Sequence, residues 1–120
     1  MSIPQFLVPD QTVTKNGEGE AVELAGGDSL IELTLGILEV IEQQSLDVNI
    51  HGSADGVEWT PKPIMAFPQK FYAGTSKIVL DLGKLPDTRY VRARWKVGRW
   101  GNWGADPPRF RFFVFAEPVR

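Results

Sequence analysis

The chain has 120 residues, a formal net charge of −2 and no cysteine, and 42% of its residues are hydrophobic. This composition excludes a disulfide framework, thiolate chemistry and intrinsic disorder, and the charge gives no general attraction to nucleic acid or to an anionic membrane. The length fits one domain, and no apolar run approaches the ~20 residues of a membrane helix. Residues 1–10 lack the basic and apolar regions of a secretory signal, so we expect a cytoplasmic protein with no membrane partner.

Charge is divided unevenly along the chain. Residues 1–60 carry eleven acidic side chains and one basic side chain, whereas residues 61–120 carry twelve basic and four acidic ones. One interpretation is a basic binding face in the second half. We favour a sandwich in which acidic N-terminal strands lie beside basic C-terminal strands, since opposite charges across a strand pair stabilise it by ~0.2–1 kcal/mol. We therefore expect no nucleic-acid partner.

The first 28 residues contain short apolar runs that are broken by turns. The turn signals are the glycine-containing segments 16–19 and 26–27. Glycines at these positions favour chain reversals over a continuous helix or strand. We therefore interpret residues 1–28 as an N-terminal arm or edge strand of a single domain that spans residues 1–120.

Residues 29–42 have two interpretations. As a helix, the segment begins with a capping box formed by Ser29 and Glu32. As a strand, it shifts phase at Gly36 through a β-bulge. The inward residues of that strand are Ile31, Leu33, Leu35, Leu38 and Val40. We favour the strand because Gly36 would cost a helix up to ~1 kcal/mol relative to alanine.

Four later segments alternate between apolar and polar residues and are predicted strands. They are residues 46–51, 76–82, 89–97 and 109–115. Their predicted inward side chains are Leu46, Val48, Ile50, Ile78, Leu80, Leu82, Val91, Ala93, Trp95, Val97, Phe110, Phe112 and Val114. Asp55 and Gly56 predict a tight turn, and the prolines within residues 60–69 predict an extended, poorly paired connection. This pattern is typical of an all-β protein built as a single antiparallel β-sandwich.

Two short motifs carry a resemblance to a known family. Residues 52–59 read Gly-Ser-Ala-Asp-Gly-Val-Glu-Trp, and residues 89–92 read Arg-Tyr-Val-Arg. In these motifs the chain resembles the discoidin-like branch of the galactose-binding-like sandwiches. It also looks like small sandwich proteins encoded near tailed-phage structural genes and like uncharacterised bacterial proteins. The resemblance implies a jelly-roll fold that serves binding. From the turn itself we expect Trp59 to serve the scaffold and to pack near the edge of the core.

The loop at residues 99–104 is the candidate ligand site. Arg99, Trp100, Asn102 and Trp103 combine flat apolar rings with hydrogen-bonding groups, the mixture that sugars and other amphipathic ligands need. The alternative is that one or both tryptophans cap the open end of the core. The first interpretation predicts a non-catalytic binding module for a carbohydrate or protein ligand.

Phe113 and Phe115 would lie on the outer face of the last strand, where two phenylalanines should not be left in water. Either the N-terminal arm covers them with Phe6, Leu7 and Val8, or they form an interface in a homo-oligomer. The second possibility predicts a structural or assembly protein, such as a phage-type virion accessory.

Arg92, Arg94 and Lys96 form a basic ladder, to which Arg109 and Arg111 are candidate additions. We expect Glu32, Glu39 or Glu42 to neutralise most of this charge.

Catalysis finds little support in the sequence. His51 ends a strand with no nucleophile beside it, and we interpret it as a turn residue. Asp47, Asn49 and Asp55 supply oxygen atoms, but their spacing matches no calcium loop. We therefore expect no enzyme activity, no metal and no cofactor.

Overall fold

The computed structural model describes residues 5–24, 30–40, 44–70, 72–85, 87–99 and 109–119. These residues form nine strands and one short 3-10 helix, and among them no helix is long and apolar enough to cross a membrane. The strands are β1 (Gln5–Val13), β2 (Gly17–Glu18), β3 (Val22–Glu23), β4 (Leu30–Val40), β5 (Gln44–Ser53), β6 (Met65–Ala66), β7 (Gly74–Asp81), β8 (Tyr90–Arg99) and β9 (Phe110–Pro118). The 3-10 helix η1 (Leu82–Lys84) follows β7 directly.

The strands form two antiparallel sheets packed face to face. The first sheet has the order β1-β9-β4-β7, and the second has the order β2-β8-β5-β6. β3 also pairs with β8, and Gly19 donates its backbone N–H to Ala93 between β2 and β3, so these two short strands act as one interrupted edge strand. From β4 onward the chain changes sheet at every connection except that from β5 to β6. This is the topology of a jelly roll, and the predicted all-β sandwich is confirmed.

The core lies between the two sheets and is filled by the predicted inward residues. The central strands β5 and β9 contribute six side chains that are 0% exposed: Leu46, Val48, Ile50, Phe110, Phe112 and Val114. Leu80 on the edge strand β7 and Val91 on the central strand β8 are each 1% exposed. Trp95 is 9% exposed, and its ring meets that of Phe112 edge-on at a centroid distance of 5.6 Å. Alternation of apolar and polar residues therefore identified the inward faces correctly.

β4 is a strand, as predicted, but its bulge lies two residues further on than expected. Gly36 pairs in regular register with both neighbouring strands, and Ile37 continues the buried face at 3% exposure. The register against β9 shifts between Ile37 and Glu39, so Leu38 is the extra residue and is 46% exposed. The prediction that Leu38 faces inward is therefore wrong. The side chain of Val40 lies outside the described residues.

Gly36 is explained by packing rather than by a bulge. A Cβ atom at this position would lie 2.3 Å from Cε1 and 2.4 Å from Cζ of Phe113, which is the residue directly opposite on β9. The phenylalanine ring therefore occupies the space above the glycine on the outer face of the first sheet. Such an arrangement covers a glycine backbone that would otherwise be open to water.

The N-terminal arm contributes edge strands to both sheets. β1 pairs with β9 along the edge of the first sheet, while β2 and β3 form an edge of the second sheet. Register shifts on either side of Val8 interrupt the alternation of β1. Because of this irregularity the consecutive residues Leu7 and Val8 are both buried, at 1% and 0% exposure.

The Asp-Gly turn has the predicted geometry. Gly56 has a φ of 80°, a conformation that side chains other than glycine rarely adopt. The Asp55 carboxylate accepts hydrogen bonds from the backbone N–H groups of Val57 and Glu58 at 2.8 and 2.9 Å. These bonds, first that from Glu58, hold the pKa of Asp55 below its usual value.

Candidate functional site

The predicted ligand loop leaves the sandwich at one defined end. β8 finishes at Arg99, which pairs with Gln44, and β9 begins at Phe110, which pairs with Val13 and Val40. We call this region, where β8 ends and β9 begins, the loop end. Its connection crosses from the second sheet to the first. Trp100, Asn102 and Trp103 lie outside the described residues, as does the side chain of Arg99.

The loop end also presents an aromatic ring that the sequence analysis missed. Tyr72 is 63% exposed, and the ammonium group of Lys70 lies 5.8 Å from the centre of its ring. Lys70 is held at this end because its backbone exchanges two hydrogen bonds with Leu46, near the start of β5. A single tyrosine between a proline-rich connection and a strand is part of no periodic sequence pattern. Its exposed position at the loop end could therefore be found only from the structure around it.

The scaffold beneath the loop end is closed by two contacts from the segment between β1 and β2. The indole N–H of Trp95 donates to the backbone oxygen of Lys15 at 3.0 Å, and the side-chain oxygen of Asn16 accepts from the backbone N–H of Val97 at 2.8 Å. These contacts satisfy polar groups where β8 approaches its end. Within the described residues, Trp95 therefore caps the core at this end.

The basic ladder of β8 is largely paired with one carboxylate. Arg92 and Arg94 lie 3.5 and 3.1 Å from the two oxygens of Glu18 on β2. Glu32 is not a partner of this ladder, since it contacts Lys77 of the first sheet at 3.4 Å, and Glu39 lies opposite Arg111 of β9. Glu42 lies outside the described residues.

Arg111 does not extend the ladder. It belongs to β9 in the first sheet, where its guanidinium group binds both carboxylate oxygens of Asp10 at 2.9–3.0 Å. This contact holds the pKa of Asp10 below its usual value. Together with the Glu18 pairs, it shows acidic N-terminal strands beside basic C-terminal strands, the arrangement favoured from the charge division.

Trp59 and His51 both serve the scaffold. The Trp59 ring is half-buried and lies 4.7 Å from the guanidinium carbon of Arg92, on the outer face of the second sheet, so it is not at the core edge as expected. His51 is part of β5 and is 6% exposed. Its Nδ1 donates to the backbone oxygen of Thr60 at 2.9 Å, because a carbonyl oxygen can only accept. Both contacts fasten the segment after the Asp-Gly turn onto β5 and β8.

The described residues contain no group of three His, Cys, Asp or Glu side chains that could hold a metal ion. Asp47 and Asp55, two residues of the weak calcium candidate, are separated by most of β5. The Asp47 carboxylate instead accepts a hydrogen bond from Gln69 at 3.0 Å.

Phe6, Phe113 and Phe115 form a cluster on the outer face of the first sheet. The Phe6 ring meets the Phe115 ring at 4.8 Å and the Phe113 ring at 6.0 Å between centroids. Phe113 and Phe115 are half-buried, whereas Phe6 is 46% exposed. Among the three arm residues expected to cover the last strand, Phe6 does so, whereas Leu7 and Val8 belong to the core between the sheets. We call these three residues the phenylalanine cluster.

Comparison with protein-family models and with curated proteins gives no match for this chain. The likeness to discoidin-like domains therefore rests on residues 52–59 and 89–92 and stays a prediction. Both motifs have local physical roles, because the first forms the turn and the second places Arg92 beneath Trp59.

Proposed function

We propose that this chain is a non-catalytic binding module, of the galactose-binding-like type, that holds a carbohydrate ligand at the loop end. The observation that supports the proposal is the exposed ring of Tyr72 with Lys70 beside it, at the end from which residues 100–108 leave the sandwich. A flat ring stacks on the apolar face of a sugar, while adjacent amide and cationic groups bind its hydroxyl or acidic groups.

The fold provides a rigid base for such a site. β5 and β8 pair over ten residues from Gln44 to Ser53, and β4 and β9 pair over most of their length. Loops that project from a rigid sandwich bind ligands without disturbing the core. Trp100, Asn102 and Trp103 are the residues that the proposal adds from the sequence to Tyr72 and Lys70.

The test is a glycan array with the unaltered chain and with four single variants. We expect Tyr72→Ala, Trp100→Ala and Trp103→Ala each to weaken binding at least tenfold, because each removes a stacking ring. Phe6→Ala is the matched control, since it removes an exposed ring from a different face and should retain binding.

Thermal unfolding of the same variants separates the two interpretations of the tryptophans. Unchanged melting temperatures with lost binding support the proposal. A large drop in melting temperature for Trp100→Ala and Trp103→Ala would assign both rings to the core cap. If the unaltered chain binds no glycan on the array, the carbohydrate proposal is overturned.

A second candidate is a structural or assembly component that uses the phenylalanine cluster as its contact. The observation that favours it is the 46% exposure of Phe6 above two further rings. Phe6→Ser should then abolish assembly, measured by light scattering, while leaving glycan binding unchanged. A strictly monomeric unaltered chain with no co-assembling protein would remove this candidate.

A further inference from the structure

The sandwich has four sheet edges, and β7 differs from the other three. β1 contains Pro9 and two register shifts, which distort its edge. β6 has only two residues, and the edge of β2 and β3 is interrupted between Glu18 and Val22. β7 has eight residues without proline, and all of them pair with β4 in unbroken register.

An unbroken edge strand is a template for another strand. Backbone N–H and C=O groups alternate in direction along a strand, so half of those in β7 point away from β4. In the described part of the chain no strand pairs with that side of β7. Natural sandwiches blunt such edges with proline, bulges or short strands, which are the devices seen at the other three edges here.

The sequence of β7 suits pairing with a second copy of itself. In an antiparallel pair related by a two-fold axis perpendicular to the sheet, the axis passes midway between the two copies of one residue, and we name the register by that residue. Residues equally distant from it along the two copies lie opposite each other. An axis at Val79 places the two copies of Val79 opposite each other. It also places Lys77 of each copy opposite Asp81 of the other, so the contact contains two pairs of opposite charge. All three positions alternate onto the outer face of the first sheet.

Other registers of the same pair are less favourable. An axis at Lys77 opposes two lysines, which repel, and an axis at Ile78 places Lys77 against Val79. Val79 is 46% exposed, and Lys77 is 59% exposed although it contacts Glu32 of β4, so a second copy can reach both side chains. On the inner face, the axis at Val79 brings Ile78 against Leu80 of the second copy and so continues the apolar layer.

We propose that two copies of this chain associate edge to edge through antiparallel β7 strands centred on Val79. The two first sheets then form one continuous eight-stranded sheet. The contact pairs residues 77–81, none of which belongs to the proposed ligand site or to the phenylalanine cluster, so it does not rest on the proposed function.

Sedimentation equilibrium of charge variants gives the first test. Val79→Lys opposes two lysines at the axis and should raise the dimer dissociation constant more than tenfold. Val57→Lys is the matched control: it makes the same change at a side chain that is 78% exposed beyond β5, and it should dimerise normally. A monomeric unaltered chain, or a dimer that survives Val79→Lys, would overturn the proposal.

A charge exchange tests the register. Lys77→Asp alone and Asp81→Lys alone should each dimerise poorly, because each opposes like charges at both contacts. Mixing the two variants should restore a heterodimer, in which both contacts join opposite charges. Asp81 also accepts a hydrogen bond from the Gly83 N–H, so the unfolding midpoint of Asp81→Lys is measured beside it. Failure of the mixture to associate while both variants stay folded would refute this register.

Because the chain has no cysteine, a single introduced thiol reports the axis directly. Val79→Cys should form a disulfide-linked dimer readily under mild oxidation, because only the residue on the axis opposes its own copy. Lys77→Cys, four residues from its own copy in this register, should link at the slow rate of Val57→Cys. Equal rates for all three variants would contradict an axis at Val79.

Discussion

The contact between Gly36 and Phe113 leads to a quantitative prediction about Gly36→Ala, which adds one methyl group. This substitution should lower the free energy of unfolding when residue 113 is phenylalanine and raise it when residue 113 is alanine. In the unaltered chain, the alanine Cβ of Gly36→Ala would lie 2.3 Å from a ring carbon of Phe113. The ring must then move, and it is confined on its other side by Phe6, whose ring centre is 6.0 Å away. When Phe113 is replaced by alanine, the three atoms nearest to this methyl group, all in the Phe113 ring, are gone.

Two opposing terms set the magnitude. Replacing glycine by alanine in a strand reduces the freedom of the unfolded chain and stabilises by about 0.4–1 kcal/mol. Forcing a methyl group into occupied space costs about 1–3 kcal/mol. The steric term is the larger, so we expect Gly36→Ala to destabilise the unaltered chain by about 1–2 kcal/mol. In the Phe113→Ala background, it should stabilise by about 0.5 kcal/mol.

Urea unfolding of the four chains, followed by circular dichroism, gives the coupling free energy between the two sites. We expect about 1–3 kcal/mol, since residues in contact typically couple by this amount. Thr34→Ala, at the neighbouring outward position of β4, is a control that should couple weakly to Phe113. An equal effect of Gly36→Ala with and without the Phe113 ring would refute the packing explanation of this glycine.

Two further predictions concern the turn and the core cap. Asp55 has a lowered pKa, so its stabilising contribution is complete above the unfolded value of about 3.9 and is lost as pH falls through the folded value. Asp55→Asn should therefore be less stable than the unaltered chain at pH 7 and approach it in stability at strongly acidic pH; a difference independent of pH would contradict this. Trp95→Phe should lower the free energy of unfolding by about 1–3 kcal/mol, because the Lys15 carbonyl loses its donor. Trp59→Phe, on the outer face, should cost less in the same urea titration, and equal losses would contradict the assignment of Trp95 as the cap.

Strand alternation allowed most of the fold to be predicted, because the central strands bury one face and expose the other. β5, β8 and β9 have this pattern without exception at their centres, and their buried residues agree with the sequence. The pattern fails at Gly36, where a glycine is compatible with either a bulge or a covering ring. Only the pairing of β4 with β9 brings Phe113 onto it and moves the bulge to Leu38.

Charge partners were less predictable than strands for a related reason. The sequence shows that acidic residues precede basic ones, but which residues meet depends on the order of strands in each sheet. Glu18 faces Arg92 and Arg94 because β2 lies beside β8. A strand of two residues has no sequence pattern from which this pairing could be predicted. The same reasoning applies to Tyr72, whose position at the loop end follows from Lys70 being held by β5.

The pairing of β1 with β9 has a practical consequence for how this domain is attached to anything else. Gln5 lies opposite Ala116, so the start of β1 and the last residues of β9 lie side by side at one end of the sandwich. Val13 and Phe110 mark the other end of the same two strands, which is the loop end. A tag, a surface or a neighbouring domain attached before β1 or after β9 is therefore joined at the end of the sandwich opposite to Tyr72. Immobilisation through either terminus should give the same orientation in a binding measurement.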